Sequence, residues 1–441
     1  MTVASLRLPP GPAEPYDASD DLFVWMNENF ARYGDLYRAS IYGGEVYVVS
    51  NPDHCEHILR WNWRNYPRKG QVVKRIALLL GNGLIASNGA FWASQRRMIQ
   101  PAFTKAAVIG QSGLIGRANS ELLEAWSLAA ERGATVNVTQ SVSLMTLKIT
   151  LTALFGDDYA TAAPHFSVLA EDAGRNLAFA EALRAARAVT LRVVSQRRRD
   201  ETEATDILGQ IMQARDRDSG APMSDQQLAR EVMTLAVAGH ETTAGMINWM
   251  WRLLAEAPEV QTRVAEELDR QPWGEIPEVA ALTGYAYTRR VIDEVLRLYP
   301  PLWLMTRKAA DDDALGDFHI PAGTEIYISP YLIQHSPHLW EAPEVFDPDR
   351  PALVRSELGR TEPDRHELAL CPFGAGPRNC IGEAFARAEI QTHLMMFARR
   401  LRLSCDDLRP PEISTGMNLL SKHDFIMRPE RRTGDGPRPQ G

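Results

Sequence analysis

The sequence predicts a mainly helical protein with a small β-rich part, and three stretches carry this prediction. Residues 225–256 keep small and apolar side chains on one stripe at helical spacing, as expected for one long helix. Residues 110–217 are rich in Ala, Leu, Arg and Glu, which favours several further helices. Near the N-terminus, residues 36–42 and 45–50 alternate in polarity around a Gly-Gly pair, which predicts a β-hairpin.

The composition is that of an ordinary globular protein. Of the 441 residues, 45% are hydrophobic and 24% are charged, without a repeat or a low-complexity tract. The net charge of -8 argues against a nucleic-acid-binding surface spread over the whole protein. Prolines interrupt residues 1–12 before any apolar run reaches the length of a signal peptide or a membrane anchor. The cysteines lack the spacing of a zinc site or a disulfide scaffold, so we expect a cytoplasmic protein.

The N-terminal region combines predicted helices, the hairpin and loops. Residues 1–20 look irregular, whereas residues 20–30 show the apolar spacing of a helix. The sequence Asn51-Pro-Asp after the hairpin is typical of a cap that opens another helix. Residues 62–90 contain several glycines and are predicted to be rich in loops.

Three arginines stand in patterns that a purely structural role would also explain. Trp92 and Arg96 are spaced i,i+4 and leave one helix face together, as a surface arginine beside a partly buried tryptophan would. Glu294 and Arg297 are spaced i,i+3, and as an exposed pair they would contribute only about 0.2–0.5 kcal/mol. Arg307 follows a predicted strand, where an arginine is usually solvated.

The long helix contains an unusual polar segment around Gly239. Glycine inside a helix lowers helix stability by about 1 kcal/mol relative to alanine, so its presence here suggests a packing or functional role. Small residues at Ala238 and Gly239 would let a flat ligand pack on the backbone. The Thr242 hydroxyl is expected to bond back to the carbonyl of Ala238. Without further context, Thr242 and Glu241 would be a core threonine beside a surface acid.

A loop rich in glycine and proline, residues 371–382, delivers Cys380 to the start of a helix predicted at residues 383–401. The N–H groups and the positive dipole end of that helix favour a thiolate, and Arg378 adds a positive charge. Such a thiolate is a nucleophile or a metal ligand. The alternative is a buried structural cysteine in a glycine turn.

The remaining predicted strands are short and lie in the C-terminal half. Residues 302–306 are expected to form a strand that lines a pocket, and residues 316–330 two strands around a turn. Residues 401–404 and 424–427 could pair with each other. Residues 417–420 could form a pocket-lining turn, and the tail from residue 429 is predicted to be mobile.

The residues around Cys380 resemble the haem-binding signature Phe-x-x-Gly-x-Arg-x-Cys-x-Gly of the cytochrome P450 superfamily. The positions that match are Phe373, Gly376, Arg378, Cys380 and Gly382. The resemblance implies one domain over residues 1–441 with the cytochrome P450 fold, a triangular helical prism around a buried haem. It also implies that the Cys380 thiolate ligates the iron of haem b. Gly374 and the matching residues of the signature would surround the cofactor.

Other segments resemble further motifs of this family, in the expected order. Trp92 and Arg96 resemble a pair that reaches a haem propionate, and Arg307 resembles a second propionate-binding arginine. The segment Ala238-Gly-His-Glu-Thr-Thr resembles the oxygen-activation motif, in which Ala238 and Gly239 pack on haem while Glu241 and Thr242 relay protons. Many members have Asp where this chain has Glu241. His240 is expected to have no chemical role.

The resemblance also assigns a structural core and a lid. Glu294 and Arg297 resemble the Glu-x-x-Arg pair of the family, whose third partner would be Arg350. Pro351 departs from the pattern, because many members have an aromatic residue there. Residues 165–189 would hold the mobile lid over the pocket.

The resemblance implies a monooxygenase that inserts one oxygen atom of O2 into a hydrophobic or amphipathic molecule, such as a secondary metabolite, a terpene or a fatty acid. Electrons from NAD(P)H would arrive only indirectly, through a reductase and a ferredoxin or flavodoxin, since no reductase fingerprint remains in the sequence. We expect a monomer without a membrane anchor. The cations expected to dock the redox partner are Arg96, Arg97, Lys105 and Arg387. The expected substrate wall comprises Val237, Ala238, Leu302, Trp303, Leu304, Met305, Leu419 and Leu420.

Three alternatives remain at this point. The same haem could serve epoxidation, oxidative aryl coupling or rearrangement, or it could serve a non-enzymatic haem-thiolate sensor. The pair Glu241 and Thr242 favours oxygen activation over sensing. A thiol-redox enzyme without haem is the third alternative, and the absence of a Cys-x-x-Cys pair argues against it.

Overall fold

Helices form most of the chain in the computed structural model, and this confirms the predicted fold class. The structure describes residues 6–170, 177–201, 204–271, 273–353, 367–407, 409–416 and 418–432. The α-helices are α1 (Leu22–Tyr33), α2 (Pro52–Glu56), α3 (Gln71–Leu80), α4 (Gly89–Ile99), α5 (Lys105–Ile109), α6 (Ser112–Glu131), α7 (Val138–Phe155), α8 (Tyr159–Ala162), α9 (Leu177–Arg199), α10 (Ile207–Gln213), α11 (Asp225–Glu256), α12 (Pro258–Arg270), α13 (Ala286–Leu298), α14 (Pro330–Gln334) and α15 (Glu383–Arg400).

The strands form small sheets at the edges of the helical body. They are β1 (Leu36–Ile41), β2 (Gly44–Val49), β3 (Val136–Asn137), β4 (Met305–Lys308), β5 (Asp313–Leu315), β6 (Phe318–Ile320), β7 (Glu325–Ile328), β8 (Leu401–Ser404), β9 (Ile413–Thr415), β10 (Leu419–Ser421) and β11 (Ile426–Arg431). The largest sheet has the order β1-β2-β7-β4, and a three-stranded sheet has the order β3-β11-β8. The pairs β5-β6 and β9-β10 form two further small sheets.

The longest helix, α11, forms where the apolar stripe predicted it. Ser224 caps its start, with Oγ accepting a hydrogen bond from the Gln227 amide at 3.2 Å. Pro258 opens α12 directly after α11 ends. Most side chains of α11 are buried, and the helix packs against α7 and α9. The central helix is therefore held on several sides by other helices.

The predicted N-terminal hairpin is confirmed. Strands β1 and β2 pair antiparallel with Leu36 opposite Val49, and β2 then pairs in parallel with β7. Asn51 caps α2 as predicted, because its side chain accepts a hydrogen bond from the His54 amide at 3.2 Å. The sheet extends to β4, in which Arg307 lies opposite Ile326. This places Arg307 on a sheet rather than at a free strand end.

Two predicted boundaries were wrong. The region expected to be loop-rich contains α3, because Gly70 and Gly81 are the two ends of a ten-residue helix and adopt φ angles of 127° and 84°. The strand expected at residues 302–306 runs from Met305 to Lys308. It begins there because its partner β7 ends at Ile328, opposite Met305, and leaves the preceding residues unpaired.

The C-terminal predictions also need correction. Residues expected to begin a mobile tail instead belong to β11, in which Arg428 to Arg431 pair with β8. The pairing expected between residues 401–404 and 424–427 is shifted, since Ile426 and Met427 pair with β3. Residues 433–441 of the expected tail, residue 417 of the expected turn and residues 171–176 of the expected lid lie outside the described residues.

Helix α15, which follows Cys380, lies within the largest hydrophobic core together with α6, α11, α12 and α13. Its middle turns are buried on all sides, from Ala388 to Ala398. Trp126 packs against Phe397 with ring centroids 4.9 Å apart. The helix that follows the cysteine loop is therefore anchored in the largest hydrophobic cluster of the described chain.

One stretch of the described chain, Val138–His165, is long and apolar enough to span a membrane by length and composition. Of its most apolar window, 61% is buried inside the protein. Its first part is α7, which packs along α11. A buried core helix of this kind satisfies the same criterion.

Candidate active site

Glycines shape the loop that presents Cys380. Gly374 and Gly376 adopt left-handed φ angles of 70° and 71°. A Cβ on Gly376 would lie 1.9 Å from the carbonyl oxygen of Leu59, so no larger residue fits there. The Cys380 amide donates to the carbonyl of Phe373 at 2.9 Å and closes the loop. The loop is therefore a rigid support for the cysteine.

The Cys380 side chain reaches a solvent-accessible space, unlike the buried Cys55 and Cys371, although protein atoms surround much of it. This burial raises the pKa of the Cys380 thiol, while the Gly382 amide and Arg96 lower it by smaller amounts. Desolvation therefore opposes the effect that the helix start and Arg378 were expected to have on the thiol. A bound metal ion would deprotonate the thiol outright.

Buried arginines gather near Cys380. Arg307 and Arg378 are only 4% and 8% exposed, and the partly buried Arg68 contacts Arg378. Burial, with repulsion from Arg96, lowers the pKa of Arg68 to about 10. Burial, with repulsion from Arg68, lowers the pKa of Arg378 to about 9, and that of Arg307 also falls well below its ordinary value. Within the described residues, none of the three forms an ion pair with a carboxylate.

The arginine side chains are only partly satisfied by the protein. Arg68 donates to the carbonyl of Arg378 at 3.1 Å, and Arg378 donates to the carbonyl of Ser87 at 2.9 Å. Nη1 of Arg378 is buried and has no hydrogen-bond partner among the residues that the structure describes. A buried cation cluster without a counter-anion is costly unless a ligand balances it. The cluster thus fits a ligand with carboxylate groups, such as the propionates of haem.

Helix α4 brings Trp92 and Arg96 to the cysteine loop. The Arg378 guanidinium lies 4.2 Å from the centre of the Trp92 ring. Arg96 donates to the backbone carbonyl of Asn379 at 3.0 Å and to its side-chain oxygen at 3.1 Å. The i,i+4 spacing therefore does place both side chains beside Cys380.

Accessible residues interrupt the buried surface of α11. The helix is buried from residue 231 to 236 and again from 243 to 254. The partly exposed positions between these runs are Val237, Ala238, Gly239, Glu241 and Thr242. As expected, Thr242 Oγ1 donates to the Ala238 carbonyl, at 2.7 Å. The polar segment of α11 therefore faces an open space rather than the protein core.

Glu241 and His240 have different surroundings. Oε2 of Glu241 accepts a hydrogen bond from Nδ2 of Asn418 at 2.5 Å. His240 is buried against Ser143, with the two side chains 3.0 Å apart, and burial lowers its pKa to about 4.

Glu294, Arg297 and Arg350 meet in the core. Arg297 Nε donates to Glu294 at 2.8 Å, and Arg350 Nε donates to the same carboxylate at 2.7 Å. Gln334 connects this cluster to the cysteine loop, because it receives a hydrogen bond from the Cys371 amide at 3.0 Å and donates to the Arg297 carbonyl at 2.9 Å. Through Gln334, the cluster of Glu294, Arg297 and Arg350 therefore helps to hold the start of the cysteine loop in place.

The expected substrate wall divides into two groups. The accessible members are Val237, Ala238, Leu302, Leu304 and Leu420. Trp303 is buried against Phe23, with ring centroids 5.5 Å apart, and Met305 lies against the cysteine loop near Gly374. Leu419 is fully buried. The structure thus does not expose these three at a common surface, since their side chains complete the core.

Three of the four expected docking cations have partners within the protein. Arg97 pairs with Asp218 at 2.7 Å, and Arg387 pairs with Asp293 at 2.6 Å. Arg96 is engaged with the cysteine loop. Lys105 is exposed and forms no ion pair with a described residue. The sequence alone did not show which acids lie beside Arg97 and Arg387, because these acids are distant along the chain.

Sequence reasoning missed Arg68, Asn418 and Gln334. Arg68 lies in a loop and meets Arg378, which is 310 residues away along the chain. Asn418 lies 177 residues from Glu241. No local periodicity joins residues so far apart, so no pattern in the sequence could have revealed these contacts.

Comparison with known proteins agrees with this geometry. The family model for cytochrome P450 matches residues 14–178 and 173–430. The chain belongs to the cytochrome P450 family. Cyclooctatin synthase of Streptomyces melanosporofaciens is 32% identical over 84% of this chain and 83% of its own. Cyclooctat-9-en-7-ol 5-monooxygenase of the same organism is 31% identical over 84% of this chain and 83% of its own.

The fold is also shared with a solved member of the family. The crystal structure of the cytochrome P450DA heme domain superposes with a TM-score of 0.82 at 22% identity and covers 97% of this chain and 98% of that chain. As a cytochrome P450 monooxygenase, the protein is an oxidoreductase that incorporates oxygen, and its family's cofactor is a haem held by a cysteine thiolate.

Proposed function

We propose that this cytochrome P450 inserts one oxygen atom of O2 into a hydrophobic or amphipathic small molecule at a haem ligated by Cys380. The observation that carries the proposal is the buried arginine cluster, which lacks a described counter-anion beside an accessible cysteine. A dianionic haem edge would balance this charge. The accessible polar segment of α11 would then lie near the reacting groups.

Named residues would hold the cofactor. Cys380 would ligate the iron, while Arg68, Arg307 and Arg378 would bind the propionates with help from Arg96. Gly382 would let the flat ring approach the loop, because a Cβ there would lie 4.0 Å from Cys380 Sγ. The missing Cβ of Gly239 faces Thr150 of α7 instead, so this glycine serves helix packing rather than contact with the ring. When bound, the haem supplies the activation of O2 and the oxidation of the substrate.

The protein would supply protons through Glu241 and Thr242. The Thr242 hydroxyl is held by the Ala238 carbonyl and can pass a proton onward through water. Glu241 would take up a proton from the solvent side and deliver it toward Thr242. This division of roles would favour monooxygenation over use of the haem as a sensor.

The substrate would contact the accessible apolar residues of α11 and of the segment after α13. Val237, Leu302 and Leu304 would form part of this wall. We propose a terpene-like substrate, because the similar Streptomyces enzyme named above is a cyclooctat-9-en-7-ol monooxygenase, and its name identifies the substrate as an unsaturated alcohol. Hydroxylation is the proposed reaction; epoxidation, aryl coupling and rearrangement at the same site are its alternatives.

Electrons would come from a separate ferredoxin or flavodoxin and a reductase. We propose that the partner docks on the surface nearest Cys380, with Lys105 as an exposed cation that can meet an acidic partner. The protein would be a cytoplasmic, monomeric, single-domain enzyme.

The absorption spectrum of the reduced, carbon-monoxide-bound protein tests the proposal. Protein expressed with a haem precursor should show the strongly red-shifted Soret band of thiolate-ligated haem. Folded protein without this band would overturn the proposal. Terpenes, fatty acids, macrolides and aromatic metabolites should then be screened for substrate-induced spin shifts, and the largest shift is expected among the terpenes.

A further inference from the structure

Asn418 contacts the acid of the oxygen-activation motif. Its Nδ2 donates to Glu241 Oε2 at 2.5 Å, and Asn418 is only 5% exposed. A hydrogen bond to an ionised carboxylate is stronger than one between neutral groups. Asn418 lies on the turn between β9 and β10, so the contact connects this hairpin to α11.

The hairpin is fastened on both sides of the residue that follows Asn418. The Leu419 amide donates to the carbonyl of Pro301 at 2.9 Å. The Leu419 carbonyl accepts a hydrogen bond from Trp249 Nε1 of α11, also at 2.9 Å. Because Leu419 is fully buried, the backbone beside Asn418 cannot move without breaking core contacts.

A glycine on α11 lets the hairpin approach closely. A Cβ on Gly245, one turn after Glu241, would lie 2.6 Å from Cδ2 of Leu420. Leu420 is partly exposed and belongs to the accessible substrate wall. The hairpin therefore contacts α11 through the amide of Asn418 at one point and through an apolar side chain at the next.

We propose that Asn418 is a positioning residue that holds the Glu241 carboxylate for proton transfer toward Thr242. The inference rests on the proposed function, since it matters only if Glu241 relays protons. An amide neither gains nor loses a proton at physiological pH, so its hydrogen bond persists while Glu241 takes up a proton and releases it. A misplaced carboxylate would relay protons more slowly.

Infrared spectroscopy of the haem-loaded protein tests the contact without turnover. The carboxylate band assigned to Glu241, by its disappearance in Glu241→Gln, should shift in Asn418→Ala. It should remain unchanged in Thr415→Ala, the matched control on the same hairpin, whose exposed hydroxyl lies 3.5 Å from Asp21. An unshifted Glu241 band in Asn418→Ala would overturn the proposal.

Turnover measurements test the role in proton delivery, using the compound with the largest spin shift. Asn418→Ala should lower product formation per electron by about tenfold, a part of the about 100-fold or more that acid–base catalysis contributes. It should also raise the solvent isotope effect. Asn418→Asp keeps the shape of the side chain but places a second carboxylate against Glu241. Repulsion between the two carboxylates should favour protonation, so the pH profile of product formation should move to higher pH. Asn418→Gln, which keeps the amide, should recover part of the activity.

The double variant distinguishes a relay role from a merely structural one. If Asn418 acts through Glu241, Asn418→Ala should have no further effect in the Glu241→Gln background. An equal loss in both backgrounds would show that Asn418 acts elsewhere, and the inference would fail alone. A folded wild-type protein without the red-shifted Soret band would instead contradict the proposed function itself.

Discussion

The arginines around Cys380 show how single residues define the site. Arg307 and Arg378 are nearly inaccessible, yet no described carboxylate pairs with them. Their charge would destabilise the protein unless a ligand enters, because an unpaired buried cation loses its hydration. Arg68 contributes to this cluster from a loop that the sequence did not connect to the cysteine.

Replacement of Arg68 by glutamine should separate cofactor binding from protein stability. We expect haem to leave Arg68→Gln about 10- to 100-fold faster, since a hydrogen bond to a charged group contributes about 1.5–3 kcal/mol. The haem-free variant should be no less stable than the wild type, because repulsion within the cluster is relieved. Haem transfer to apomyoglobin and urea unfolding measure the two effects. The exposed Arg64→Gln is the control.

The two cysteines of the loop should behave differently when replaced. Cys380→Ala should abolish the red-shifted Soret band, since the thiolate ligand is removed. Cys371→Ala should retain it, because Cys371 is buried in the core and burial raises its pKa to about 12. The reduced carbon-monoxide spectrum of each purified variant is the measurement. If Cys371→Ala lost the band and Cys380→Ala retained it, Cys371 rather than Cys380 would be the iron ligand.

At the scale of elements, a buried acid connects α11 to the loop that precedes α4. Glu231 accepts hydrogen bonds from the Leu84 amide at 2.8 Å and from Gln227 at 2.6 Å. Burial raises the pKa of Glu231 to about 7, although both donors lower it. The loop thus depends on a carboxyl group that changes charge near neutral pH.

Glu231 should make the stability of the fold depend on pH. Because its folded pKa lies above the ordinary value of 4.5, its contribution is complete below about pH 4.5 and is lost as pH rises through about 7. The change is about 3 kcal/mol. Urea unfolding from about pH 4.5 to about pH 8 should show it in the wild type, and Glu231→Gln should flatten the curve by that amount. Parallel curves for the two proteins would contradict the assignment.

The buried cluster of Glu294, Arg297 and Arg350 should contribute strongly to stability. Glu294→Gln would leave Arg297 and Arg350 buried with their charge less balanced, so we expect a loss of about 3–5 kcal/mol in unfolding free energy. Denaturant titration followed by tryptophan fluorescence is the measurement. Glu266→Gln, from the exposed pair with Arg270, should change stability by less than about 1 kcal/mol. Equal effects would mean that the buried cluster is unimportant for stability.

For the whole molecule, surface charge would influence the docking of the proposed redox partner. The net charge is -8, and two of the arginines expected to dock a partner are already paired with acids. Lys105 remains exposed near the end of α4. An acidic partner would therefore meet a small cationic area on an otherwise acidic protein.

Charge reversal at Lys105 tests this arrangement. Lys105→Glu should slow NAD(P)H-driven turnover by about two- to tenfold at low salt, because attraction to an acidic ferredoxin or flavodoxin is lost. Turnover with peroxide should be unchanged, since it needs no partner. Lys422→Glu, on the hairpin that contacts α11, is the control. An equal loss of NAD(P)H-driven and peroxide-driven turnover would contradict docking at Lys105.

The sequence by itself determined the fold class, the central helix and the main motifs, because helical periodicity and glycine placement act over a few residues. The spacing of Trp92 and Arg96 was sufficient to place both on one face, and the Thr242 hydroxyl bonded to Ala238 as expected. Only the tertiary structure decided that desolvation opposes the Cys380 thiolate, that Arg68 joins the cation cluster and that Asn418 holds Glu241. These effects depend on burial and on contacts between distant parts of the chain, which no local pattern encodes.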